Sequence, residues 1–328
     1  MWLLVGLIAI ALTFDFLNGR NDAANSIATI VSTRVLAPRY AVAWAAFFNF
    51  VAFLVFGLHV AATIGTGIIA PGTITDQVIF GALLGAICWQ VITGYFGIPS
   101  SSSHALIGGL VGSGVAHAGL HVIVWSGLGK TIGAIVLSPV TGLILALLLV
   151  LIVSWTCRGV APARMDGIFR RVQFVSASLY SLGHGGNDAQ KTMGIIAALL
   201  AAHGALSGPF HVPLWVVLSC NGAMALGTLL GGWRIVRTIG SRITRLAPVQ
   251  GVCAETAGSI TLFLATYLGI PVSTTHTITG AIVGVGAARR TSAVRWNVAK
   301  DIVIAWVITM PAAGAIGAVF YYAFGAFV

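Results

Sequence analysis

Two short polar runs recur inside otherwise apolar sequence. Asn18-Gly19-Arg20-Asn21-Asp22-Ala23-Ala24-Asn25-Ser26 returns as His184-Gly185-Gly186-Asn187-Asp188-Ala189-Gln190-Lys191-Thr192, with Asp22 and Asp188 standing 166 positions apart. Gly97-Ile98-Pro99-Ser100-Ser101-Ser102-Ser103-His104 returns as Gly269-Ile270-Pro271-Val272-Ser273-Thr274-Thr275-His276, 172 positions later. Amides, hydroxyls and the unbonded N–H groups of helix starts bind oxyanions. Carboxylates beside them repel an anion unless a cation or a proton neutralises them. The combination is the chemistry of an anion carried together with a coupling ion.

The charges cannot face lipid. Each of Arg20, Asp22, Asp188 and Lys191 would cost about 2.5–3.5 kcal/mol near the middle of a membrane helix, so they must face one another or a hydrated cavity. Glycine is poor in a helix interior and asparagine is a good N-cap. Gly19 with Asn21, and Gly185-Gly186 with Asn187, therefore predict a break in each long helix followed by a fresh half-helix. The Pro99 and Pro271 turns predict two more helix starts, carrying the hydroxyls of Ser101, Ser102, Ser103, Ser273, Thr274 and Thr275. Four starts, at about half a positive charge each, would make a receptor for a tetrahedral oxyanion. Asn21, Asn25, Asn187, Gln190 and Lys191 complete the expected substrate-binding set, and Asp22, Asp188 and Glu255 are the expected ion-coupling groups. Arg20 and Lys191 either contact the anion or compensate the aspartates. Asp15 and Asp301, near segment ends, read as interfacial. No metal site and no cofactor are expected, and the histidines show no metal-ligand spacing. Serine and histidine neighbours at i and i+1 do not face each other on a helix, so a hydrolase is disfavoured, and His104 and His276 are expected to cap or brace the turns. Lys130 reads as snorkelling from a tilted helix, and Pro139 and Pro311 as helix kinks.

Composition sets the frame for these motifs. Of 328 residues, 58% are hydrophobic and 7% charged, against about 25% charged in an ordinary soluble domain. Apolar stretches of the roughly 20 residues that cross a bilayer recur throughout, so the expected class is an all-α polytopic membrane protein. The net charge of +10 is not a nucleic-acid signal, because the basic residues collect in short loops. Cys88, Cys157, Cys220 and Cys253 are isolated residues in or beside apolar stretches and read as small packing residues, without disulfides. The first fifteen residues lack a positive leading segment and are expected to be retained.

The repeats divide the chain into residues 1–160 and 161–328. Gly108, Gly112, Pro139 and Gly142 also find Gly280, Gly284, Pro311 and Gly314 at the same spacing. Fourteen of the 17 basic residues fall in four loops: Arg34 and Arg39; Arg158, Arg164, Arg170 and Arg171; Arg234, Arg237, Arg242 and Arg245; Arg289, Arg290, Arg295 and Lys300. By the positive-inside rule these loops are cytoplasmic. Equivalent loops of the other half hold no Lys or Arg, so the expected architecture is two inverted-topology repeats, a layout typical of secondary transporters. Each repeat is predicted to hold a broken helix, spanning helices and a re-entrant helical hairpin tipped by the Gly-Ile-Pro motif, with both termini outside.

Asn18 to Thr29, Gly183 to Lys191 and the paired Pro-x-Ser-Ser/Thr-Ser/Thr-His motifs closely resemble the PiT family of inorganic phosphate transporters, over the whole chain and in order. The resemblance implies phosphate uptake across the plasma or inner membrane, driven by a proton or sodium gradient. It places the family's site on Asn21, Asp22, Asn25, Ser102, Ser103, Asn187, Asp188, Thr274 and Thr275. Where many members repeat Asn-Asp-x-x-Asn in both halves, this chain ends the second run in Lys191, whose ammonium would take a coupling sodium's place and favours protons. The expected partners are phosphate, a coupling cation, membrane lipid and, kept open, a second copy of the chain. Sulfate permeases share the frame, and a passive anion channel would use the same dipoles without accumulating its substrate.

Overall fold

The structure is a computed structural model that describes residues 2–206 and 208–327, and among these it is helical with no extended strand. Among the described residues four helices are long and apolar enough to cross a membrane, or up to six if each of two bent pairs is one span. The order of elements repeats. A long helix, α1 (Trp2–Ser32), leads into a bent pair, α2 (Pro38–Val51) and α3 (His59–Gly67), whose axes differ by 80°. A hairpin follows, α4 (Asp76–Phe96) and α5 (Ser102–Ala118), and then α6 (Trp125–Thr156) with Pro139 inside it. The second half runs α7 (Pro162–Ala202), the pair α8 (Leu214–Leu230) and α9 (Trp233–Arg237), which continues as one π-helical turn to Arg242 and bends by 64°. A second hairpin, α10 (Pro248–Tyr267) and α11 (Thr274–Arg289), precedes α12 (Trp296–Phe327) with Pro311 inside. Both prolines sit within unbroken helices.

One expectation fails. Residues Gly19 to Asn21 and Gly185 to Asn187 lie in the middle of continuous helices, not at breaks. A Cβ on Gly19 would run into the Met224 carbonyl, and one on Gly185 would meet the Asn49 carbonyl at 2.5 Å. The glycines let α8 and α2 approach closely. An intact backbone also avoids leaving N–H and C=O groups unsatisfied in a membrane, at several kcal/mol each, which outweighs a glycine penalty of about 1 kcal/mol. The helix starts available to an anion fall from four to two.

The halves are interlocked. α6 packs along α10 and α11, and α12 along α4 and α5, so each hairpin is cradled by the last helix of the other half. The repeated glycines are the crossing points: Gly108 and Gly112 meet the backbones of Met310 and Gly314, and Gly280 and Gly284 those of Pro139 and Leu143. Small residues at such crossings let membrane helices pack without a hydrophobic driving force. α1 and α7 lie side by side in opposite directions: Thr33 bonds Gln173 at 2.9 Å, while Asp22 lies against His184 and Asp188.

Candidate functional site

The hairpin tips are built alike. Gly97 and Gly269 adopt φ of +69° and +67°, the left-handed region that glycine enters without a steric penalty, and the chain leaves α4 and α10 there. After the proline turn, Ser101 and Ser273 are extended N-caps whose hydroxyls accept the backbone N–H of His104 and His276 at 3.3 and 3.2 Å. These two serines, expected to hold substrate, accept at the helix starts, which leaves each hydroxyl proton to donate elsewhere. Ser102, Ser103, Thr274 and Thr275 occupy the first turns beyond.

The tips meet. Ser103 Oγ donates to the Val272 carbonyl at 3.0 Å, and Thr275 Oγ1 to the Ser100 carbonyl at 3.2 Å. From α1, Asp22 accepts from Ser102 at 3.0 Å and from Thr275 at 3.3 Å, one hydroxyl from each hairpin. Asn25 donates to Thr274 and Thr275 at 3.2 and 2.9 Å. From α7, Asp188 accepts from Thr274 at 3.1 Å and is ion-paired with Lys191. The Lys191 ammonium also donates to Ser103 Oγ, and to the Val272 carbonyl at 2.9 Å. Asp22, Asn25, Ser102, Ser103, Asp188, Lys191, Thr274 and Thr275 are all buried and form one cluster where the two halves meet.

Other expected site residues stand beside this cluster. Asn21 donates to the Gln90 carbonyl of α4 at 2.9 Å; Asn187 donates to Thr266 and Ile270 and accepts the Val272 N–H. Both asparagines brace a hairpin. Gln190 accepts the N–H groups of Val60 and Ala61 and donates to Gly57, which secures the start of α3. Glu255 lies away from the cluster, accepting from Gln173 at 2.9 Å and Ser176 at 2.5 Å. Arg20, expected inside, is exposed on the other face of α1. Asp15, expected at an interface, is fully buried, with neither carboxylate oxygen bonded.

His184 belongs to the second polar run, and the sequence alone gives it no role. Its Nδ1 bonds Asn49 at 3.1 Å and its Nε2 lies 3.3 Å from Asp188. Asp22, His184 and Asp188 bring ligand atoms within 4.8 Å of one another, a set that can hold a cation. Two carboxyl groups, those of Asp22 and Asp188, share this site with one buried amine, that of Lys191. The N-termini of α5 and α11, worth about half a positive charge each, point at the same place.

The chain's residues 18–164 and 157–317 match the model of the phosphate transporter family. A protein of Rhizobium meliloti named probable low-affinity inorganic phosphate transporter is 72% identical over 98% of this chain and 96% of its own length. One of the same name from Bacillus subtilis is 45% identical over 96% and 95%. The chain belongs to the phosphate transporter family. A solved structure named "The sodium-dependent phosphate transporter" superposes with a TM-score of 0.91 at 25% identity, covering both chains completely. The family is one of transporters, not enzymes, and this transporter is a multi-pass membrane protein.

Proposed function

We propose that this transporter takes up inorganic phosphate together with protons, by alternating access around the cluster between the two hairpin tips. The observation that carries the reading is that two helix starts and the hydroxyls of Ser102, Thr274 and Thr275 converge on Asp22 and Asp188, with Asn25 bonded to both threonines. Substrate enters when one tip withdraws: its hydroxyls exchange carboxylate and carbonyl partners for phosphate oxygens, and Asn25 and Lys191 add donors. Asp22, without a cation of its own, must take up a positive charge before the anion is held. Lys191 fills the space beside Asp188 that a second metal cation would need, which favours a proton in that role. Phosphate is preferred to sulfate because the relatives quoted above carry phosphate in their names.

Two cavities support alternating access. One of about 380 Å³ lies against the second tip, with Thr66, Ser126 and Lys130 in its wall. One of about 470 Å³ lies against the first tip, with Thr93, Thr238 and Arg242. Each is separated from the cluster by a single tip, and the repeat relates them.

Sodium coupling is the second reading, favoured by the structural relative's name and by the cation-suited grouping of Asp22, His184 and Asp188. Uptake of labelled phosphate into proteoliposomes, under separately imposed proton and sodium gradients and with sulfate and arsenate as competitors, decides between them. Accumulation driven by the proton gradient alone is expected. Equilibration without accumulation would make the protein a passive channel.

A further inference from the structure

The chain has seven carboxylates against 17 lysines and arginines, and none of the seven lies in the one cavity around which four arginines gather. Asp15, Asp22, Asp188 and Glu255 are buried among the helices. Asp76 pairs with His203, Asp166 with Arg170, and Asp301 lines the cavity that holds Arg242. Arg245, Arg289, Arg290 and Arg295 instead surround a separate cavity of about 270 Å³, together with Ser241 and Ser292. No acidic residue lines it.

The cavity has a fixed frame. The Arg295 N–H donates to the Ile243 carbonyl at 2.9 Å, and Thr244 Oγ1 to the Ala293 carbonyl at 3.0 Å, over buried Ile243 and Val294. These bonds stitch the segment entering α10 to the segment leaving α11, the two feet of the second hairpin. Loop arginines that only orient a membrane protein need to lie on one side of the bilayer; nothing in that role gathers four of them around one concavity. Like charges brought together repel even in water. The planar guanidinium fork matches phosphate oxygens two at a time.

We propose that this cavity binds a phosphate-bearing anion that bridges the two feet of the second hairpin, at a site distinct from the central cluster. The anion is either the headgroup of an acidic phospholipid or free inorganic phosphate. The full-length protein in neutral detergent is titrated with dioctanoyl phosphatidylglycerol and, separately, with inorganic phosphate, and bound ligand is read by native mass spectrometry. The pair Arg289→Gln and Arg290→Gln should weaken one of these probes at least tenfold. The pair Arg289→Lys and Arg290→Lys keeps the charge that orients the chain and should weaken the same probe by about threefold to tenfold, because the forked contacts are lost. Loss confined to phosphatidylglycerol assigns the site to lipid, and loss confined to phosphate assigns it to the free ion. Equal affinity of the wild type and the lysine pair for both probes overturns the proposal.

Discussion

His104 and His276, equivalent positions 172 residues apart, meet ring to ring with centroids 4.4 Å apart and planes at 81°. His276 also stacks on Trp306 at 3.7 Å. Among the described residues neither imidazole has a hydrogen-bond partner for its ring nitrogens, and a buried unsatisfied polar group costs about 1–3 kcal/mol. Replacing both by phenylalanine should therefore raise the thermal midpoint of the purified protein and slow phosphate uptake. Higher stability with unchanged uptake would leave the rings without a part in transport.

Asp188 and Lys191 form a buried ion pair one helical turn apart. Removing one partner of such a pair leaves a naked charge and destabilises by about 3–5 kcal/mol. Asp188→Asn should lower the midpoint and abolish uptake. Combining it with Lys191→Met should restore the midpoint without restoring uptake. Recovery of transport in the double variant would assign Asp188 to balancing the lysine alone.

Asp22 has no cation partner, and its loss should be gentler on the fold. Asp22→Asn keeps the acceptor for Ser102 or Thr275, so membrane insertion and thermal midpoint should stay close to wild type while uptake is lost. Wild-type uptake in this variant would refute its place in coupling.

Lys191 blocks the space next to Asp188. Lys191→Asn opens it and leaves two oxygen-rich side chains where the ammonium stood, an arrangement suited to a hard cation. Uptake by this variant in proteoliposomes should respond more strongly to an inward sodium gradient than wild-type uptake does. An unaltered response to sodium would separate the lysine from ion choice.

Glu255 offers a pH test. A proton-driven uptake rises as the outside is made more acidic than the inside. Glu255→Gln should flatten that dependence at least twofold, whereas Asp76→Asn, at the opposite end of the fold and paired with His203, should leave the profile in place. A profile identical to wild type would confine Glu255 to its bonds with Gln173 and Ser176.

How much the sequence revealed depends on what a residue's neighbours in the chain can report. The two hairpins, their capped serines and the repeated order are local chemistry and were legible as motifs. The supposed breaks were not, because a glycine that ends a helix and one that admits Met224 or Asn49 look the same until the partner helix is known. Helical angle would have placed other residues correctly. At 3.6 residues per turn, Asp15, Asn18, Asp22 and Asn25 share one face of α1, and Arg20 lies about 200° away from Asp22. Likewise His184, Asp188 and Lys191 share a face of α7, and Gln190 turns towards α3. Motif membership favours Arg20 and Gln190 and segment position disfavours Asp15, whereas the phase of a continuous helix separates Arg20 and Gln190 from the aspartates and brings Asp15 to their face.

The cradling of each hairpin by the opposite half has a consequence for how the chain is made. α4 and α5 leave the ribosome long before α12, the helix against which Gly108 and Gly112 close. In that interval their notched surface has only lipid, or the insertion machinery, to lean on. The second hairpin finds α6 already waiting. Biogenesis is therefore lopsided in a molecule whose finished halves are so alike, and a nascent chain stalled before α12 should be the form that membrane proteases recognise.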